Sequence, residues 1–138
     1  RPTGKRTDIG GALEYFMRVM RRQSVVFLLS DFVDDKDYSR PLAMARGRHD
    51  VVALQVYDRR MGTLPDVGLM KWEDAETGHQ QYVDTSSPAV RKAYAEHWQQ
   101  RMNSLRNLLN RNRVDHVSIN TAGDYIQSLK ALFAKRAR

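Results

Sequence analysis

Two oxygen-bearing side chains stand where chemistry could occur: Thr7 in Thr7-Asp8-Ile9-Gly10-Gly11-Ala12-Leu13, and Asp31 near the end of SVVFLLSDF, residues 24–32. A hydroxyl and a carboxylate are hard oxygen ligands of the kind Mg²⁺ takes. Two are too few for a complete site, and each has an ordinary structural role open to it. Thr7 is placed to be a helix N-cap, and Asp31 to accept N–H groups of its own loop. Asp34, Asp35 and Asp37 follow closely. They are either further carboxylates for an Mg²⁺-dependent phosphoesterase or nuclease, or solvated turn residues. His49, His79, His97 and His116 fall in different segments at no metal-ligand spacing. No Gly-x-Ser-x-Gly, Walker-A or Gly-x-Gly-x-x-Gly pattern occurs, and the absence of cysteine excludes disulfides, thiolate metal sites and cysteine nucleophiles.

The elements that must position these residues are legible as hydrophobic patterns. Five apolar residues, Val25 to Leu29, run without polar alternation. That predicts a strand over 24–30 buried on both faces of a parallel sheet. Asp31 then sits at the carboxyl end of the strand, the edge where such sheets bind ligands. A helix is predicted over 8–22 with Ile9, Leu13, Phe16, Met17 and Met20 inward, and a short one over 41–47. Residues 50–57, DVVALQVY, read as a second buried strand, ending in Asp58 as the first ends in Asp31.

Residues 69–74 and 79–84 read as an antiparallel hairpin turning at 75–78. A long helix then runs from Ser86 or Ser87 to about Arg113, its stripe being Val90, Tyr94, Trp98, Met102, Leu105 and Leu109. The spacing of Trp72, Tyr82, Tyr94 and Trp98 suits a core. Residues 116–120 form a third strand, and 121–124 resemble a cap for a last helix burying Ile126, Leu129 and Phe133. The order specifies an α/β domain, a mainly parallel sheet with flanking helices and a β-hairpin insertion. Strands 24–30, 50–57 and 115–120 are expected to be parallel and adjacent in that order. Strand 24–30 is too apolar for a comfortable sheet edge. A neighbour is therefore expected, either an earlier strand of a longer chain or a second copy, so that the chain by itself is a homo-oligomer.

With 23 basic and 16 acidic residues in 138, the formal charge is +7. A basic chain raises nucleic acid as a partner. However, the charges are scattered, and only Arg1 with Lys5-Arg6 and Lys135-Arg136 with Arg138 cluster, so solvated helix faces are the stronger reading. No run approaches the roughly 20 apolar residues that span a bilayer. Without cysteine, the expected compartment is cytoplasmic. A first residue of Arg1 rather than Met reads as part of a longer chain.

The order TDIGGAL, VVFLLSDF, HDVVALQVYD, LPDVGLMKWEDAETG, VDT and a Tyr94-containing helix closely resembles bacterial domain-of-unknown-function family fifty-eight. The likeness runs from about Gly4 to the C-terminus and is most specific at 64–78. The family resembles a von Willebrand factor type A domain, which carries a metal-ion-dependent adhesion site. That resemblance implies that Thr7 and Asp31 are metal ligands, that Mg²⁺ belongs to the complete domain, and that residues 1–138 form its C-terminal part. The Asp-x-Ser-x-Ser loop of such sites is absent from these residues, so Mg²⁺ binding by this chain alone is expected to be weak. Met61 stands where relatives often carry glutamate. The implied role is non-enzymatic: protein interaction or scaffolding, often beside a MoxR-type AAA+ ATPase. The competing readings are the phosphoesterase or nuclease and a basic nucleic-acid-binding domain.

Overall fold

A computed structural model describes residues 7–34, 36–73, 77–121, 123 and 125–137. In chain order its elements are α1 (Ile9–Val19), β1 (Val25–Ser30), α2 (Ser39–Arg48), β2 (Asp50–Tyr57) and a 3₁₀ turn (Arg59–Gly62). There follow β3 (Leu69–Glu73), β4 (Gln80–Asp84), α3 (Pro88–Arg111), β5 (Asp115–Asn120) and α4 (Tyr125–Arg136). Two compact units result: Thr7–Asp58 with the residues from Leu105 onward, and Arg59–Ser104.

The first unit is built on a three-stranded sheet in the order β1-β2-β5. Both pairings are parallel, with Phe27 beside Val52 and Val52 beside Asp115. This is the adjacency expected of the three segments. The middle strand is the true core element, with Val51, Val52 and Ala53 fully buried. Side chains alternate along a strand, so Val25, Phe27 and Leu29 share a face with Asp50, Val52, Leu54 and Asp115.

Helix α4 covers that face. Arg136 donates from Nη1 to Asp115 Oδ2 at 2.5 Å and from Nη2 to Asp50 Oδ2. Phe133 meets Phe27 edge-on with ring centroids 6.1 Å apart. The opposite face takes the other two helices. His49 lies one residue before Asp50 in extended backbone, so it points to the other side, where its ring meets Phe16 of α1 at 5.0 Å. Helices α1 and α2 pack on each other and bury Ile9, Leu13, Leu42 and Ala45.

Strand β1 departs from expectation. Val25, Phe27 and Leu29 are 56%, 48% and 63% exposed, whereas Val26 and Leu28 are half-buried. Among the described residues β1 pairs with β2 alone, and α4 packs chiefly on β5. The strand is apolar on both sides, but this unit covers only one of them.

The helices also shift. Asp8, not Thr7, is the N-cap of α1, its carboxylate accepting the Gly11 N–H at 3.0 Å. A cap must reach an N–H two or three residues on, and the residue next to Ile9 does so. A Cβ at Gly11 would lie 2.4 Å from Asp8 Oδ2, so the bare glycine makes room for the cap. Helix α1 stops at Val19, leaving Arg21 and Arg22 beyond it, and α2 continues through Gly47 to Arg48. In α4 the inward residue is Leu132, while Ile126 and Phe133 are 52% and 48% exposed. In α3, Leu105 and Leu109 are buried, and Val90, Tyr94, Trp98 and Met102 are half-buried. The expected hairpin turn and the cap at 121–124 lie partly outside the described residues. Thr121 extends the ladder, its N–H donating to Tyr57 O at 2.9 Å.

His116 on β5 is half-buried, with Nε2 3.1 Å from Asn110 Oδ1. Burial, then the charges of Arg106 and Lys135, hold its pKa below the usual 6.5. The folded chain thus resists a proton that the unfolded chain accepts. The unfolded state binds more protons in that window, so stability rises with pH through it and is complete above the unfolded value. Urea midpoints measured from about pH 7.5 down to about pH 5 should fall below the histidine range, and His116→Gln should flatten that decline.

Candidate functional site

The loop leaving β1 is held by short side-chain-to-backbone bonds. Ser30 Oγ accepts the Phe32 N–H at 2.9 Å, and Asp31 Oδ1 accepts the Val33 N–H at 3.0 Å. Asp34 Oδ1 accepts the Lys36 N–H at 3.0 Å, and Asp37 Oδ1 accepts the Ser39 N–H at 2.9 Å and its hydroxyl at 2.7 Å. The Ser39 hydroxyl, then its N–H, hold the Asp37 carboxyl below its usual range. Such turns are the ordinary work of Asp and Ser in loops. Between them Phe32 takes φ 59° while only 3% exposed. That backbone is strained for a bulky residue, and its burial, with the turns at Ser30 and Asp31, holds it there.

Thr7 and Asp31 are carried by segments that are tied together. Asp34 Oδ2 accepts the N–H of Ile9 at 2.9 Å, satisfying one of the unpaired donors at the start of α1. This bond fastens the residues around Thr7 to the loop of Asp31, at the carboxyl end of β1. Both side chains are half-buried. Thr7 offers a hydroxyl and Asp31 a second carboxylate oxygen beyond the one that accepts Val33 N–H. They are donors of the right chemistry for Mg²⁺ but supply only part of an octahedral set. No group of three or more His, Asp or Glu among the described residues could hold a metal ion, and Asp35 lies outside them. Each of the other loop aspartates, Asp34 and Asp37, is engaged in shaping backbone. The four histidines are not brought together: His49 is 2% exposed, His116 half-buried, and His79 and His97 exposed.

In the second unit the stretch that most distinguishes the sequence, 64–78, serves architecture. Its centre is Thr85, fully buried just after β4. The Thr85 hydroxyl donates to Gly68 O at 2.6 Å and accepts the Val67 N–H at 3.0 Å. Its N–H also donates to Gly68 O, at 2.9 Å. Gly68 itself needs φ 81°, a region a glycine enters freely. Arg91 of α3 closes the cluster, with Nη1 2.7 Å from Thr85 O and 3.5 Å from Asp66 Oδ2. Leu-Pro-Asp-Val-Gly and Val-Asp-Thr are therefore two halves of one knot.

Beside the knot, Tyr94 donates its hydroxyl to Met61 O at 2.8 Å and its ring lies 6.0 Å from that of Trp72. Position 61 is thus held through its carbonyl. Trp72 and Tyr82 are 40% and 67% exposed, so the hairpin aromatics are not the core residues their spacing suggested. Sequence reasoning passed over Thr85, whose only signal was a threonine directly after a strand.

Charge is also used structurally. Arg136 belongs to the basic C-terminal run, yet its guanidinium spans Asp50 and Asp115, and those carboxylates raise its pKa, Asp50 most. Arg1, Lys5, Arg6 and Arg138 lie outside the described residues.

Thr85→Val keeps the shape but removes the acceptor for the Val67 N–H and the donor to Gly68. Leaving a buried donor unmade costs about 1–3 kcal/mol, so chemical unfolding should show a loss of that size. Thr85→Ser, which keeps the hydroxyl, should recover most of it.

Comparison with known proteins agrees in part with the resemblance. The chain is 39% identical over 77 residues to an uncharacterized protein of Mycobacterium avium, a match covering 56% of this chain and 46% of that protein. The same identity over the same length relates it to an uncharacterized protein of Mycobacterium tuberculosis H37Rv, of which the match covers 24%. The chain thus spans about half of one of these relatives and a quarter of the other. A crystal structure of an uncharacterized membrane-spanning protein from Vibrio fischeri aligns over 96% of this chain and 56% of its own, at 14% identity and a TM-score of 0.32. The expected cytoplasmic placement is withdrawn. It rested on missing cysteines, which limit thiol chemistry and do not fix a compartment. No described helix is long and apolar enough to cross a membrane. A family model matches residues 1–104, and the chain belongs to that family, described as protein of unknown function DUF58.

Proposed function

We propose that this chain is the C-terminal part of a von Willebrand factor type A-like domain that acts as a non-enzymatic protein-interaction module. The observation that carries this reading is the edge of the sheet around β1. Helices α1 and α2 lie on one face, and parallel crossovers are right-handed in nearly all cases. The step from β1 through α2 leads toward β2 and β5. A parallel strand leading into α1 would then arrive from the opposite side and pair with the open edge of β1. Its carboxyl end would stand next to Thr7 and Asp31. That is the place where a type A domain carries its Asp-x-Ser-x-Ser loop.

In this reading Thr7 and Asp31 Oδ2 supply two oxygen ligands, and Mg²⁺, when bound, supplies a positive centre for an acidic side chain of the partner. The resemblance makes a MoxR-type AAA+ ATPase the candidate partner. A hydrolytic role has less support. Asp34 and Asp37 are used by the backbone, which draws them away from a shared metal cluster, and Asp37 is held ionised by Ser39, which does not suit a general acid.

Calorimetric titration of this chain with Mg²⁺ should give little heat. A chain extended upstream to include the missing strand and loop should bind saturably, and Asp31→Ala should abolish both that binding and Mg²⁺-dependent partner binding. Tight stoichiometric binding by residues 1–138 that vanishes in Asp31→Ala would overturn the reading.

The open edge also implies self-association of the isolated chain. Val25, Phe27 and Leu29 are about half exposed, so completing their burial would return about 1–1.5 kcal/mol each, and an unpaired strand edge templates another strand. Light scattering at micromolar protein should report a dimer or larger species. A soluble monomer of 16.0 kDa would show that the edge is tolerated bare.

A further inference from the structure

Helices α1 and α2, with Asp37 of the loop between β1 and α2, enclose an open groove of about 710 Å³. Its walls repeat one pattern. On α2, Arg40, Met44 and Arg48 follow at intervals of four, placing one methionine between two guanidinium groups on a single helix face. On α1, Met17 and Arg18 line the other wall, and Pro41 completes the apolar floor. Met44 is 56% exposed. Among the described residues none of the three arginines is ion-paired, in contrast to Arg91 and Arg136, which hold carboxylates inside the fold. Two carboxylates, Glu14 and Asp37, also line the groove, and Ser39 holds Asp37 ionised.

We infer that this groove is a docking surface for an acidic amphipathic helix of a protein partner. The charge pattern selects the occupant. A polyphosphate backbone would bring negative charge against Glu14 and Asp37 as well as toward the arginines. A helix carries its charges at chosen positions and can pass both carboxylates with neutral or basic residues. Its complement to α2 is an apolar residue with a carboxylate four residues before and four after, about 6 Å away along the axis in each direction. The apolar residue enters between Met17 and Met44, whose unbranched thioether chains adapt to different shapes. Exposed ion pairs add little affinity, so the methionines supply the anchor and the arginines set orientation and choice of partner.

The test uses the whole chain, ¹⁵N-labelled, and four probes in amide-shift titrations. The first is a helical peptide of roughly 16 residues with leucines on one stripe and glutamates four residues to either side. The second is its lysine counterpart, the third a single-stranded oligodeoxynucleotide, and the fourth inorganic phosphate. The glutamate peptide should bind saturably, with shifts centred on residues 14–18 and 40–48. Arg40→Glu with Arg48→Glu should weaken it by about tenfold or more and make the lysine peptide the better ligand. Met44→Ala should weaken either pairing. These side chains are exposed, and retained amide dispersion in each variant shows that it is folded. Failure of the glutamate peptide to saturate, equal binding of the lysine peptide to the unaltered chain, or tighter binding of the oligonucleotide or phosphate at the same residues would each overturn the assignment.

Discussion

The sheet unit depends on one constraint: β2 must be covered on both faces and paired on both edges. Val51, Val52 and Ala53 have no exposure, and their backbone groups have partners only if β1 and β5 lie alongside in register. Once that is so, the rest follows by elimination. The side chains of one face need α1 and α2, and those of the other need α4. The outer strands then inherit unequal cover, because α4 lies chiefly against β5 and reaches β1 through Phe133 on Phe27. The exposure of Phe27 and Leu29 is the residue of this arrangement.

Two polar devices set the amino ends of the strands. Arg136 joins Asp50 of β2 to Asp115 of β5, fixing the end of α4 over a pair of carboxylates that would otherwise repel each other. His49 does the equivalent work on the opposite face. Its Nδ1 accepts the Ser24 N–H at 3.0 Å just before β1, while its buried Nε2 has no partner among the described residues. The accepting nitrogen requires the proton on Nε2, so the ring is held as one neutral tautomer against Phe16. An unmade bond in a buried ring is a real loss, accepted here for a contact that closes the start of β1.

The second unit is organised on a different principle. Among the described residues its strands form a two-stranded hairpin with exposed Tyr82 and Leu69. Isolated hairpins are marginal in water, and this one is anchored by polar closure at Thr85 and by Trp72 against Tyr94. A fully buried hydroxyl with both donor and acceptor used is a directional contact, which holds the turn at Gly68 where apolar packing alone would let it slide.

The sequence by itself determined the elements and their order. DVVALQVY could only be an internal strand, and the apolar run of β1, the hairpin and the 3.6-residue stripe of α3 were equally plain, because each is a local period. Asp31 and Thr7 could also be placed at the carboxyl edge of the sheet, since strand direction alone decides which end a residue occupies. Capping was decided by where the first helical turn begins, at Ile9, and fell to Asp8 instead of Thr7. The inward side of α4 was read in part: Phe133 does meet Phe27 and Leu129 is half-buried, but the most buried residue is Leu132 and Ile126 is exposed, because an amphipathic stripe does not say which neighbour will cover it. Arg136 looked like part of a basic tail, and only the fold brings two carboxylates from distant strands beneath it. The same holds for Thr85 and for the three arginines of the α1–α2 groove. A side chain's partners lie far along the chain, so its residue type gives the chemistry it offers, and only tertiary structure decides whether that chemistry is spent inside the fold or left for something else to bind.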